Sequence, residues 1–294
     1  MNPARLILPA LRWHPTTGFG HLEEDASHAL KLGVGGFIVF GGTAPAVATL
    51  TEGLTLRAGR PLLFAADLER GAGQQFTGLT EIPPPAALAT LANPGLARQA
   101  GRLTALEALS VGINFVLAPV ADVDLEPTNP IVQSRAFGSD PAIVARMVAA
   151  WVDGCQSAGC LACLKHFPGH GRTTVDSHAT LPSVGASREE LETKDLIPFR
   201  AGIEAGASAV MTAHVRFEAF DPARAATFSS AVLDTLRRDL GFEGLIVTDA
   251  LNMAGARLDG GPGEAAVAAV RAGVDLLLYP EGLDETVEAL QTAR

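Results

Sequence analysis

The chain has 294 residues, 48% of them hydrophobic, with 22 Lys and Arg against 32 Asp and Glu and a formal net charge of −10. That balance disfavours nucleic acid and anionic membrane surfaces as partners, and every apolar run is interrupted by Gly, Pro or a charge before it reaches membrane-span length. The opening MNPARLILPALRW has too short an apolar stretch, and no small-residue cleavage site, for a secretory signal. A cytoplasmic location is therefore expected, with one domain spanning residues 1–294.

Taken in order, the chain repeats one phrase: a glycine-containing turn, four to six apolar residues, then a polar or charged one. Leu6–Pro9 is a weak first case. Gly35–Phe40, Pro61–Asp67, Gly112–Asp122, Gly159–His166, Ala207–His214, Glu243–Asp249 and Gly273–Pro280 follow, eight runs in all. Apolar runs without alternation are the pattern of parallel strands buried on both faces. Helical spacing is expected over Glu23–Leu32, Pro94–Val111, Pro141–Ala158, Arg188–Ala205, Ser230–Leu240, Gly263–Ala272 and Asp284–Thr292. Asn93-Pro94 and Asp140-Pro141 read as N-caps followed by proline at the first helical position, and Gly159, Gly206 and Gly273 as helix stops. This alternation, with no composition break, predicts an α/β fold: a single (β/α)8 TIM-type barrel. A doubly wound sheet is the alternative, but no GxGxxG follows an early strand.

The three cysteines, Cys155, Cys160 and Cys163, fall within nine residues. Cys160 and Cys163 make a CxxC pair inside an apolar run, without the second pair that a zinc site needs. They read as small core residues in a reducing compartment.

In such a barrel, catalytic groups lie where strands end. The closing residues are Asp67, Asp122, Lys165-His166, His214 and Asp249. Between Cys163 and His178 the chain reads CLKHFPGHGRTTVDSH, a density of titratable residues and glycines that suits an active-site loop better than a core. Lys165 and Arg135 facing Asp67 would form a cage for a polyhydroxylated ligand. Asp249, ionised beside such cations, would be competent as a nucleophile. An imidazole titrates near neutrality, so His178 could give and take a proton, and Asp176 two residues before it could orient it and raise its basicity. A metallohydrolase built on His166, His170, His178, His214 and Asp249 is a competing reading, although no helical HExxH spacing supports it. Ser177 lacks the GxSxG elbow of a triad nucleophile.

KHFPGHGRTTVDSH, with AAD before it, RAFGSDP between and VTDALNM after, resembles glycoside hydrolase family 3, in its single-domain β-N-acetylglucosaminidases of peptidoglycan recycling. The resemblance runs from about Phe37 to the C-terminus. It implies a (β/α)8 barrel without cofactor or metal, removing terminal β-linked GlcNAc from small carbohydrates such as oligosaccharides or muropeptides. Asp249 matches the nucleophile, His178 the general acid/base and Asp176 its dyad partner. Asp67, Arg135, Lys165 and His166 match residues that bind sugar hydroxyls. Larger relatives draw an acid/base carboxylate from a second domain; with none expected here, the proton donor falls to a barrel loop.

This sequence departs from the pattern at three places. After Asp67 it reads LERGAGQQF where wall-recycling members read QEGGRVQRF, so Gln75 stands in place of a sugar-binding Arg and Arg70 in place of a Gly. Ala250 stands where many members have a second Asp. A β-glucosidase, a phosphorolytic exo-glycosidase and a catalytically silent sugar-binding barrel remain as alternative readings.

Overall fold

The computed structural model describes residues 2–177 and 180–293. Its strands are β1 Ile7–Leu8, β2 Ala10–Arg12, β3 Gly36–Phe40, β4 Leu63–Ala66, β5 Phe115–Val116 and β6 Leu161–Phe167. They continue as β7 Ser183–Val184, β8 Ala209–Thr212, β9 Arg216–Phe217, β10 Leu245–Thr248 and β11 Leu277–Leu278. Seven of them form one curled parallel sheet in the order β10-β8-β6-β5-β4-β3-β2. Its central strands β3, β6 and β8 are buried on both faces, as their apolar runs require, while the edge strand β2 ends in the exposed Arg12.

The first and last runs depart from the expected eight-strand ladder. They pair with each other, Ile7 opposite Leu277 and Leu8 opposite Leu278, in a separate two-stranded ladder. Pro9 divides the first run into β1 and β2, because it has no N–H to continue the ladder between Leu8 and Ala10. Backbone bonds still cross both gaps. Ile38 N donates to Pro9 O at 3.0 Å, and Thr248 N donates to Leu276 O at 2.9 Å.

Two cores follow. Inside the curl, Leu8, Ile38, Ala65, Phe115, Leu117, Cys163, Met211, Val247 and Leu278 pack together. A larger apolar layer lies between the sheet and the surrounding helices and holds Cys155 and Cys160. All three cysteines are free and buried.

Helices form where capping signals stand. The Asn93 side chain accepts from Gly95 N at 2.9 Å to open Pro94–Ser110. Asp140 Oδ1 accepts from Ala142 N at 2.8 Å and Ile143 N at 3.2 Å to open Pro141–Ser157. These two helices touch through glycines: a Cβ on Gly101 would lie 2.2 Å from Trp151 O, and one on Gly154 2.0 Å from Arg98 O. The expected helix over 188–205 contains a π-helical turn at Leu191–Asp195, and Ser230–Asp234 continues into another at Thr235–Asp239. Ala44–Ala58 is a helix that the sequence reading passed over.

Candidate active site

The sheet curls so that its strand ends meet around a cavity of about 430 Å³, lined by Asp67, Glu69, Arg135, Lys165, His166 and Asp249 among others. Asp67 directly follows β4, and Asp249 directly follows β10. Lys165 and His166 lie within β6 rather than after it. Two consecutive strand residues ordinarily point to opposite faces. Here the register against β8 shifts between Leu164 and Phe167, an irregularity that re-aims side chains, and both residues reach the cavity.

The cation cage differs from the expected one. Lys165 Nζ lies 2.8 Å from Asp67 Oδ1, as anticipated, but also 2.6 Å from Glu69 Oε1. Arg135 does not pair with Asp67. Its Nε and Nη2 donate to Glu69 Oε2 and Oε1 at 2.9 and 2.7 Å, the two-pronged geometry a guanidinium favours. Glu69 is thus the missed member of the site, buried between two cations two residues after Asp67. Burial pushes its carboxyl up, but Lys165 and Arg135 outweigh that and hold it well below the carboxylate range. Burial likewise works against the Lys165 ammonium, which Asp67 and Glu69 raise above its usual range.

Of the other strand-end residues, Asp122 and His214 sit behind the cavity rather than in it. Asp122 is fully buried; it accepts from His166 Nδ1 at 2.7 Å and from the backbone N–H groups of His166 and His170 at 3.1 and 2.6 Å. Burial raises its carboxyl, and His166 above all brings it below normal. It therefore fixes the ring of His166. The ring nitrogens of His214 are engaged by Thr227 Oγ1 at 2.8 Å and Ala250 O at 3.1 Å. Those of His170 meet Thr173 Oγ1 at 2.8 Å and Ser177 Oγ at 3.0 Å. With these imidazoles engaged, no group of three or more His, Cys, Asp or Glu among the described residues could hold a metal ion.

Asp249 is partly exposed to the cavity. Its Oδ1 accepts from Ala250 N at 2.7 Å. Burial raises its carboxyl, but His166, His214, the Ala250 N–H and Lys165 together carry it below the usual value. It is an ionised carboxylate facing a space lined with cations and hydrogen-bond donors. Asp176 is partly buried on the loop after β6 and its carbonyl accepts from Thr180 N at 3.1 Å. His178, the expected acid/base, lies outside the described residues. Gln75 and Arg70, the two departures noted in the sequence, both line the cavity. Gln75 Oε1 accepts from Gly41 N at 3.1 Å, and Arg70 sits on the exposed rim 3.3 Å from Glu81.

This arrangement offers a hydroxyl-rich ring several charged hydrogen-bonding partners beside a carboxylate, and the chain is similar to known glycoside hydrolases. A β-hexosaminidase of Nitrosomonas eutropha is 38% identical over 278 residues, 90% of this chain and 79% of the relative. A family 3 β-N-acetylglucosaminidase from Paenibacillus superposes with a TM-score of 0.90 at 36% identity, covering 99% of this chain but only 57% of that one. NagZ from Neisseria gonorrhoeae, solved with N-trifluoroacetyl-D-glucosamine, gives 0.83 at 33% identity over 98% of this chain and 84% of its own. The family profile described as Glycosyl hydrolase family 3 N terminal domain matches residues 19–293, and the chain belongs to that family.

Proposed function

We propose that the protein is a retaining exo-β-N-acetylglucosaminidase that removes terminal β-linked GlcNAc from small carbohydrates, peptidoglycan fragments among them, in the cytoplasm. The observation that carries this reading is the setting of Asp249: a carboxylate at a strand end, kept ionised and lining the same cavity as the Asp67–Lys165–Glu69–Arg135 cluster. The N-trifluoroacetylated glucosamine bound by the gonococcal relative supports the choice of an N-acylated glycone.

In this reading Asp67, Arg135, Lys165 and His166 hold the sugar hydroxyls. Asp249 attacks the anomeric carbon and forms a glycosyl ester while the bond to the leaving oxygen breaks. His178, paired with Asp176, gives that oxygen its proton, then takes one from water as the water displaces Asp249. Two inversions return the original anomer. A histidine suits both halves because its pKa lies near neutrality. The reading includes a closed (β/α)8 barrel acting as one catalytic unit, supported by the backbone bonds that join β11 to β1 and to β10.

Treatment with a 5-fluoro-N-acetylglucosaminyl trapping reagent, followed by peptide mapping, tests the proposal. A label on the peptide carrying Asp249 is expected, and a label elsewhere, or none on an enzyme that turns over, sinks it. Comparing nitrophenyl β-GlcNAc with the β-glucoside separates the GlcNAc reading from a glucosidase.

A further inference from the structure

We propose that Arg12, Phe40 and Tyr279 form a subsite beside the cavity for a leaving group that is a ring carrying a carboxylate. The inference rests on the glycosidase reading and names the kind of aglycone that the site prefers.

The three residues close the mouth of the curled sheet. β11 lies between β1 and β10, through Ile7 opposite Leu277 and the Val247–Leu276 bridge, and β2 pairs with β3. The ends of these strands therefore fill the arc between Asp249, after β10, and Asp67, after β4. Arg12 stands opposite Phe40 in the ladder, and Tyr279 follows β11. Phe40 and Tyr279 pack against the core inside the curl, whose Met211 also lines the cavity. Ala10 packs there too, so Arg12, two residues on, stands on the same inner face. Gly41, next after Phe40, donates its N–H to Gln75 Oε1 at 3.1 Å, and Gln75 lines the cavity.

Tyr279 has a φ of +45°, which a bulky side chain rarely adopts. Leu278 belongs to the inner core, and consecutive residues of an extended strand face opposite ways. The left-handed turn brings the Tyr279 ring back to the side of Leu278. The ring centroids of Phe40 and Tyr279 are 6.1 Å apart, with planes at 44°. The guanidinium carbon of Arg12 lies 4.1 Å from the Phe40 centroid and 5.8 Å from that of Tyr279. Attraction to the ring faces thus holds the cation at the mouth. Lys165 and Arg135 are neutralised by Asp67 and Glu69. Among the described residues, by contrast, no carboxylate pairs with Arg12 and no side-chain hydrogen bond engages it. In a chain with 32 Asp and Glu against 22 Lys and Arg, such a guanidinium is available to the carboxylate of a ligand. Its planar fork matches that group, and the two aromatic rings give an apolar flank to the ring that bears it. Arg12 is exposed, and Phe40 and Tyr279 are half-buried, so a ligand can reach all three.

The test compares the β-GlcNAc glycosides of 4-hydroxybenzoate and of its amide, two leaving groups of one shape that differ in charge. The ratio of kcat/KM, acid over amide, should fall about fivefold in Arg12→Gln, the upper end for an exposed ion pair. Arg12→Lys, which keeps the charge but not the fork, should fall in between. Taking the ratio cancels the unequal reactivity of the two phenols and any general loss of activity. Raising the salt from about 0.02 to about 0.5 M should lower the wild-type ratio and leave that of Arg12→Gln where it is. A ratio that Arg12→Gln does not alter overturns the proposal, because Arg12 then only braces Phe40. If that variant fails to fold, the wild-type salt series decides, and a ratio flat with salt overturns it. Failure of the GlcNAc reading registers apart, as a wild type that turns over neither glycoside; the same ratio on the β-glucosides then tests the mouth by itself.

Discussion

Glu69 lies 2.6 Å from Lys165 through its Oε1 and bonds Arg135 through both oxygens, so one buried carboxylate sets the position of two cations that face the cavity. Asp67 takes the remaining side of Lys165 at 2.8 Å but leaves Arg135 alone. The two carboxylates therefore divide the work. Asp67 is partly open to the cavity and free to accept from a ligand, while Glu69 is committed to the protein.

Glu69→Ala should accordingly damage both stability and binding. Removing one partner of a buried ion pair costs about 3–5 kcal/mol, and the lower end is expected because Asp67 still neutralises Lys165. Denaturant unfolding measures the first effect. A rise in KM of at least about tenfold for β-GlcNAc substrates, as Arg135 and Lys165 lose their fixed placement, measures the second. Glu69→Gln, which keeps the shape but loses the charge and turns one acceptor into a donor against the cations, should recover only a small part of either effect.

Much of the scaffold was legible because a buried parallel strand has only one way to look in sequence. The runs ending in Asp67 and Asp249 could be placed from their apolar residues alone. Asp122 and His214 close runs of the same kind, yet both point behind the cavity. Strand ends say where polar residues begin, not which way the last one turns. Glu69 escaped notice because its partners, Lys165 and Arg135, are 96 and 66 positions away, and nothing local marks it. The helix Ala44–Ala58 escaped for a different reason: its Thr-rich face and the exposed Leu56 blur the 3.6-residue period. Pro9 is plain in the sequence, but nothing local says that it divides two ladders.

His170 gives a pH prediction with a definite sign. Burial above all lowers its pKa from the usual 6.5 to about 4. Between those values the unfolded chain binds a proton that the folded chain does not, so stability is full above pH 6.5 and falls as the pH drops toward 4. The share attributable to His170 is about 3 kcal/mol when integrated over that window. Unfolding free energies of the wild type and His170→Gln should therefore converge by this order as pH falls from 7 to 4. Curves that stay parallel would show that His170 titrates normally in the folded protein.

The thiols supply a simpler check of the core. Burial raises all three, Cys160 to about 12, so almost none is thiolate at neutral pH. Cys163 lies inside the curled sheet and the others beneath the helices. A disulfide reagent should leave the native protein unlabelled over an hour and label three thiols in denaturant. Fast labelling of the native protein would mean that the layer between the helix Pro141–Ser157 and the sheet is open.

The sharpest prediction concerns Asp249. Asp249→Asn removes the charge but keeps the shape and the Oδ1 contact with Ala250 N, so the fold should hold, with unfolding free energy within about 1 kcal/mol of wild type. Activity should not hold. An amide cannot form the glycosyl ester, and kcat on nitrophenyl β-GlcNAc should fall roughly 10³-fold or more. Asp249→Gly goes further by opening room beside the anomeric carbon. Azide added to that variant should restore turnover of the dinitrophenyl glycoside and release an α-glycosyl azide, because a single displacement inverts the centre that the native enzyme inverts twice. A β-azide, or rescue by formate and azide alike in Asp67→Gly and not in Asp249→Gly, would take the nucleophile away from Asp249.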